Sequence, residues 1–423
     1  MRRVTRRPFL KRLRSGERGA VATIVAVLAC FGVVTGMLAL TVDVGNVWWE
    51  RRQLQNGADA TSLGLAAYCA QKGADCDPAK VAYLLSANAT DNAAQYDLRP
   101  GQASNGACGR AVVGAPATLD QCPSATTDAA LTDLSKCPPL PDWLKGAGAT
   151  IPYVETYSKT EQPDGQTILP KFFSQALLGG PGPDVTVTAC ARAAWGPPSS
   201  YTGAVPVTFS ACEWNNFMTA TGSVYPNLPV GFPGYGGAGQ PAWPDSSYER
   251  VIYFKDASHT APCTNSNGKD GPGGFGNVQL SGGVCEATVS TGGWLIGEQG
   301  NSMTNPCKDV LAALRGTVVN IPVFDCLYIS NTAYNGTVAA APTCNGGSGG
   351  TYNYHIVGWA KFYISGYVFP SMRQASYITG SNPCSNSETC LSGWFVKGEL
   401  QATGIAPPGG AGDFGSYAVL PAG

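Results

Sequence analysis

Between positions 20 and 42 the mixing of polar and apolar residues that marks most of this chain stops. Ala20–Val42 reads AVATIVAVLACFGVVTGMLALTV, 23 residues without a charge. As a helix it is roughly 34 Å long, enough to cross a bilayer core of about 30 Å with some tilt. No break signal follows. Asp43-Val44-Gly45-Asn46-Val47-Trp48-Trp49 reads as an interface with indole rings at headgroup level. From Val47, positions 51, 54, 58, 61, 65 and 68 carry Arg, Leu, Ala, Thr, Leu and Tyr. Steps of four and three are the seam of a helix that packs on something, with Arg51 out of pattern. Gly57 and Gly64 lower helix propensity but admit a close neighbour. The pattern predicts one helix from Gly19 to Cys69, about 75 Å long, half in lipid and half a packed stalk.

Beyond it the periodicity shortens. Asp77-Pro78 is a cap and first-turn pair for a short helix with Val81, Leu84 and Leu85 on one face. Residues 97–150 are rich in Ala, Gly, Pro and polar residues, which predicts loops. Pro170-Lys171-Phe172-Phe173 through Leu178, stopped by Gly179-Gly180, predicts another short helix. Asp184-Val185-Thr186-Val187-Thr188 alternates and predicts a strand running to Trp195. Gly196-Pro197-Pro198-Ser199-Ser200 reads as a boundary. In the second half the strand candidates are Val205–Phe209, Val251–Phe254, Thr317–Ile329 and Tyr354–Phe369. Asn305-Pro306 caps a helix through Leu314, closed by Gly316, with Val310, Leu311 and Leu314 facing inward. The expected class is α+β: a basic leader over 1–18, the span and stalk helix over 19–70, an α+β region over 71–198, and a mostly antiparallel β domain over 201–423. No internal repeat of fixed period is visible.

Charge sets the orientation. Before the apolar run stand Arg2, Arg3, Arg6, Arg7, Lys11, Arg12, Arg14 and Arg18 against Glu17 alone. Basic flanks stay cytoplasmic, so the bulk is expected outside the cell membrane. Of the chain's 27 basic and 28 acidic residues, 19 and 27 remain beyond that leader. A nucleic-acid binder needs the opposite sign, so that partner is excluded. A cleaved signal peptide would carry an apolar core of about 7–15 residues and a small-x-small exit, and this run is longer.

The cysteines agree with export. Cys30 lies inside the apolar run. The other fourteen are Cys69, Cys76, Cys108, Cys122, Cys137, Cys190, Cys212, Cys263, Cys285, Cys307, Cys326, Cys344, Cys384 and Cys390. An even set at this density is sustained by an oxidising compartment. Zinc is disfavoured by the absence of any CxxC pair and by only two histidines, His259 and His355. Short separation suggests Cys69–Cys76 and Cys384–Cys390, and helix-to-strand proximity suggests Cys307–Cys326.

Motifs for chemistry are thin. Gly234-Tyr-Gly236-Gly-Ala-Gly239 and Gly271-Pro-Gly273-Gly-Phe-Gly276 fit GxGxxG, but neither sits between a strand and a helix, and the chain holds 54 glycines. Gly346-Gly-Ser348-Gly-Gly350 fits GxSxG without the strand and helix a nucleophile elbow needs. Asp256-Ala-Ser258-His-Thr260 resembles a divalent-ion adhesion loop, yet Ala261-Pro262-Cys263 replaces the following helix. Glu286, Glu298, Asp309 and Asp325 are available carboxylates with nothing to select a pair. No catalytic residue, metal ligand or cofactor is assigned.

Asp43 ends the span at the outer headgroups or pairs with a cation on a neighbouring anchor. The candidate packing and assembly residues are Asp43, Glu50, Arg51, Arg52, Leu54, Ala58, Thr61 and Leu65.

Glu17-Arg18-Gly19-Ala20-Val21-Ala22, the apolar run, Val42-Asp43-Val44-Gly45 and Arg51-Arg52-Gln53-Leu54-Gln55-Asn56-Gly57-Ala58-Asp59-Ala60 together resemble the N-terminal segment of TadE/TadG-like Flp pilus-assembly proteins. Ala191-Arg192-Ala193-Ala194-Trp195-Gly196 is similar to members of the same group. The resemblance covers about residues 16–70. It implies a single-pass envelope protein of the tight-adherence (Tad) pilus machinery, with a pilin-like anchor helix and other Tad membrane proteins as partners. Pilin processing would leave a glutamate five residues into the mature end, where Gly16 and Gly19 give Val21 and Ile24. That departure favours a membrane-held accessory or tip component. The expected role is structural and non-enzymatic. The alternatives are a tethered adhesin or glycan-binding module, with Trp214, Trp243, Trp294, Trp359 and Trp394 as a platform, and a tethered hydrolase.

Overall fold

The computed structural model describes residues 13–89, 94–96, 106–110, 119–122, 137, 140–145, 151–161, 186–204, 206–226, 248–254, 275–277, 285–297, 303–330, 344, 350–406 and 412–423. The expected helix at 170–178, the Gly-rich string at 234–239, residues 271–274 of the second such string and the adhesion-like loop at 256–260 lie outside these residues. So do Glu298, Trp243, Cys263 and Ser348.

One helix, α1 (Leu13–Lys72), runs 60 residues without interruption. It contains no proline, and its seven glycines are spread singly, so nothing breaks the ladder. Two single 3-10 turns follow, Gly73–Asp75 and Pro78–Lys80, then α2 (Tyr83–Ala87). The Asp77 carboxylate accepts from the Ala79 amide at 2.9 Å, as the cap pattern predicts. The single helix expected there is split, because the chain bends at 81–82 to lay Val81 and Leu85 against α1.

The strands in chain order are β1 (Ala94–Tyr96), β2 (Ala107–Arg110), β3 (Asp120–Gln121), β4 (Tyr153–Thr160), β5 (Thr188–Gly196), β6 (Ser200–Ala204), β7 (Val207–Ser210), β8 (Arg250–Tyr253) and β9 (Phe275–Asn277). There follow β10 (Glu286–Ser290), β11 (Trp294–Gly297), β12 (Val318–Ser330), β13 (Thr351–Phe369), β14 (Met372–Gln374), β15 (Cys390–Val396), β16 (Gly398–Glu399) and β17 (Ser416–Pro421). Three further helices are α3 (Asp142–Lys145), α4 (Ala211–Ala220) and α5 (Asn305–Leu314).

The first sheet has the order β16-β17-β5-β4-β2-β3, with β1 also on β4. Its centre is the antiparallel β4–β5 pair, in register from Tyr153↔Ala194 to Lys159↔Thr188. The strand β17 returns from the far end of the chain to pair antiparallel with β5, Ala418 opposite Gly196. Both faces of β4 and β5 are covered. Val154, Ala193 and Trp195 pack with Leu65, Ala66 and Cys69 of α1, whereas Tyr153, Tyr157, Cys190 and Ala194 pack with Cys108, Cys122 and Leu144. That is why β5 is buried at nearly every position instead of alternating.

The second sheet has the order β8-β15-β13-β12-β7-β9, with β11 and β14 also on β13. The pairings β13–β12 and β13–β15 are antiparallel, and β7 joins β12 in parallel over two residues, Val323↔Phe209 and Phe324↔Ser210. Its core is aromatic: Phe209 meets Phe362 and Phe395 edge-to-face at 4.9 and 5.7 Å. All four strands expected in this half are present, with ends displaced by up to three residues. The span expected of α5 coincides with the observed one. Thr304 is its N-cap residue, and Leu311 is buried with Val310 and Leu314 half-buried beside it. Gly316 closes it at φ +81, a conformation few side chains tolerate.

Disulfides join Cys69–Cys76, Cys108–Cys122, Cys137–Cys190, Cys285–Cys307, Cys326–Cys344 and Cys384–Cys390. Cys212 is also bonded, and Cys30 is free and exposed. The two short-range pairs are those expected. The expected Cys307–Cys326 bridge is not formed. Cys307 sits in the core built on Val319, Ile321 and Val323 and is bonded to Cys285, while Cys326, beyond the irregularity at Val323–Cys326 of β12, is bonded to Cys344.

Candidate functional site

The most distinctive construction in this molecule is that one helix serves two surroundings. Along its first described half, large apolar side chains stand fully out: Val21, Ile24, Leu28, Phe31, Val34, Met37, Leu38 and Val42 are each about half exposed or more. The stretch is long and apolar enough to cross a membrane. Trp48 and Trp49 end it with 67% and 56% of their surface exposed, and Asp43 is half-buried one turn earlier.

The second half is core. Leu54, Ala58, Thr61 and Leu65 are all at or below 1% exposure, so the seam predicted from steps of four and three is filled. Its partner is the chain's own first sheet. The Thr156 hydroxyl donates to the Ala58 carbonyl at 2.9 Å, and the Ser158 hydroxyl donates to the Leu54 carbonyl at 3.2 Å. The Gln55 amide donates to the Cys190 carbonyl and to the Asp59 carboxylate, both at 3.0 Å. Burial raises the Asp59 pKa above its ordinary value, and the Gln55 bond opposes that rise. Gly57 and Gly64 do admit a close neighbour: a Cβ at Gly57 would lie 2.9 Å from the Leu85 carbonyl oxygen, and one at Gly64 would lie 2.6 Å from Leu84 Cδ1. Glu50 and Arg51 are half-buried and Arg52 is exposed, so these three edge the seat. Cys69–Cys76 staples the last turn of α1 to the chain that folds back along it.

On the face of the sheet away from α1 lies a buried ion pair. Arg192 donates through Nε at 2.8 Å and through Nη2 at 2.6 Å to one oxygen of Glu155, and its Nη1 donates to the Ala422 carbonyl at 3.3 Å. The Tyr157 hydroxyl donates to the other carboxylate oxygen at 2.6 Å. Burial, then the Glu155 charge, holds the Tyr157 phenol well above its usual pKa. The group joins β4, β5 and the segment after β17. The sequence signal for it is the alternation Tyr153-Val154-Glu155-Thr156-Tyr157-Ser158, large and charged residues on one face and small ones under the helix.

Chemistry-bearing residues converge little. His355 Nδ1 lies 2.8 Å from Asp325 Oδ1 on adjacent strands, with Trp294 beside the ring at 5.1 Å. Among the described residues no serine or cysteine thiol is bonded to that pair. Glu286 on β10 and Asp309 on α5 are exposed, on elements that the Cys285–Cys307 bridge ties together, and among the described residues no hydrogen bond joins the two carboxylates. Cys108, Cys122 and Glu155 cluster within 4.8 Å, but both sulfurs are in a disulfide and Glu155 is held by Arg192. Of the tryptophans proposed as a platform, Trp359 and Trp394 are fully buried, while Trp214 and Trp294 are half-buried. A cleft of about 290 Å³ lies where the end of α1 meets β5 and β17, lined by Ala70, Trp195, Lys397, Asp413 and Tyr417 among others. Burial pushes the Tyr417 phenol up to about 12, with Glu399 adding to the rise.

No curated protein and no solved structure matches this chain. Within the helix just described, residues 19–67 match the family model Tad, putative Flp pilus-assembly TadE/G-like.

Proposed function

We propose that this chain is a membrane-anchored structural component of Flp (tight-adherence) pilus assembly, with no catalytic role of its own. Its N-terminus is cytoplasmic, α1 crosses the membrane once, and the disulfide-bonded sheets lie outside, where they contact other Tad membrane proteins. The observation that carries this is the division of α1: an exposed apolar half long enough for a bilayer continues, without a break, into a half that is the core of the head. The family match covers that same helix and spans both halves. The basic flank before Val21 orients it, and six described disulfides suit an oxidising exterior.

Deletion of the gene in its own cell, followed by electron microscopy of surface fibres, tests the role. Loss of fibres, restored by the wild-type chain and by a His355→Ala/Asp325→Ala variant, is the expected result. Fibres that persist after deletion refute the assembly role. Restoration that depends on His355 and Asp325 refutes the non-enzymatic part.

A further inference from the structure

The hydrogen bonds between α1 and β4 act as a ruler. Thr156 is bonded at the height of Ala58, and Ser158 at the height of Leu54. Two strand residues advance about 6.7 Å and four helix residues advance about 6 Å, so strand and helix keep step. One further step puts Thr160 at about the height of Glu50, and Lys159 level with Arg51 and Arg52. Val47 is already packed against the cluster of Leu54, Leu85, Ala89, Ala94 and Val187. The head therefore begins at Val47, within about 3 Å, along the helix, of the indoles of Trp48 and Trp49. At 100° per residue those two rings flank the helix, both turned from the sheet, and both are more than half exposed.

We infer that the head rests directly on the lipid headgroup layer and that Arg51, Arg52 and Lys159 bind phospholipid phosphates there. This rests on the reading of α1 as a membrane span. Indoles prefer the headgroup region, and whatever shares their height shares that region. Arg52 lies one turn outward from Trp48 on the same side and is exposed, while Arg51 and Lys159 are half-buried. Among the described residues none of the three is ion-paired. Glu50 and Glu161 stand at the same height among the described residues, which leaves the described part of the band with a small net positive charge. The guanidinium fork suits a phosphate oxygen pair, and near an anionic leaflet each basic residue favours contact by about fivefold. No free stalk separates head from bilayer, which fixes the height at which any partner meets the head.

The test uses the full chain, one copy per phospholipid nanodisc containing phosphatidylglycerol, so no neighbouring subunit is present. A fluorescent amino acid replaces Asn88, exposed beside the Val47 cluster, or Gln71, exposed about 34 Å further along α1 from Trp48. With a headgroup-attached quencher, Asn88 should be quenched far more than Gln71. Arg51→Gln/Arg52→Gln should lower the ratio of seated to lifted heads by more than about tenfold. The single Arg52→Gln variant, at an exposed position, should show part of that loss, and circular dichroism checks folding. Equal quenching at Asn88 and Gln71 overturns the seating. Seating indifferent to both arginine variants overturns the phosphate assignment. A probe at Leu38 that an acyl-chain quencher fails to reach overturns the membrane reading itself.

Discussion

Leu65→Ala should unfold the head far more readily than Leu38→Ala, although both leucines belong to one helix. Leu65 is fully buried against Val154 and Ala193 of the first sheet, while Leu38 is 60% exposed. Removing three buried carbons costs about 2.4 kcal/mol at about 0.8 kcal/mol per methylene. The cavity left under a rigid helix raises the total to about 3–5 kcal/mol, since the sheet beneath is held by β17 and by disulfides and cannot collapse into it. The same truncation at Leu38 leaves the head untouched and should shift its unfolding by less than about 0.5 kcal/mol. Denaturant unfolding of the detergent-solubilised chain, followed by tryptophan fluorescence, reads both. Trp195 packs in the same cluster as Leu65 and reports on that core. A loss under about 1 kcal/mol for Leu65→Ala, or equal losses for the two variants, would refute the claim that the outer half of α1 is core.

Arg192→Met should cost about 3–5 kcal/mol, because it strands the Glu155 carboxylate at 6% exposure with Tyr157 as its main donor. Adding Glu155→Gln to that variant should recover a good part of the loss, and a double-mutant cycle by denaturant melts checks it. Glu213, on the first turn of α4, has its pKa raised to about 7 from 4.5 by burial. Below pH 4.5 it is neutral folded or unfolded and has no effect on stability. As pH rises to about 7 the unfolded chain releases that proton and the folded one keeps it, so stability falls by up to about 3 kcal/mol at 1.36 kcal/mol per unit. Glu213→Gln should flatten this part of the stability-versus-pH curve, measured by melting between pH 4 and 8.

Along residues 13–70 almost all of the local structure was legible from the order of the residues. An uncharged run and a three-four seam are period signals carried by consecutive positions, so they survive without knowledge of any partner. The helix α1, its exposed half and its buried face at Leu54, Ala58, Thr61 and Leu65 were legible in this way, as were α5 and the strands β7, β8, β12 and β13. The disulfides Cys69–Cys76 and Cys384–Cys390 were legible because a short loop leaves few alternatives.

What the seam packs on became fixed only when the chain closed on itself. A helix face states that it is covered and never by whom, and here the cover is β4, a strand in a stretch without strong hydrophobic periodicity, brought 98 residues along the chain to Ala58. The return of β17 to the first sheet, the Glu155–Arg192 pair and the Cys285–Cys307 bridge have the same origin. Each joins groups far apart in the chain, and the free energy that selects them comes from burial and pairing after the backbone has closed. The height of the head above the indoles belongs to that class too: it is set by two hydroxyls bonded to helix carbonyls, a registration that no single segment encodes.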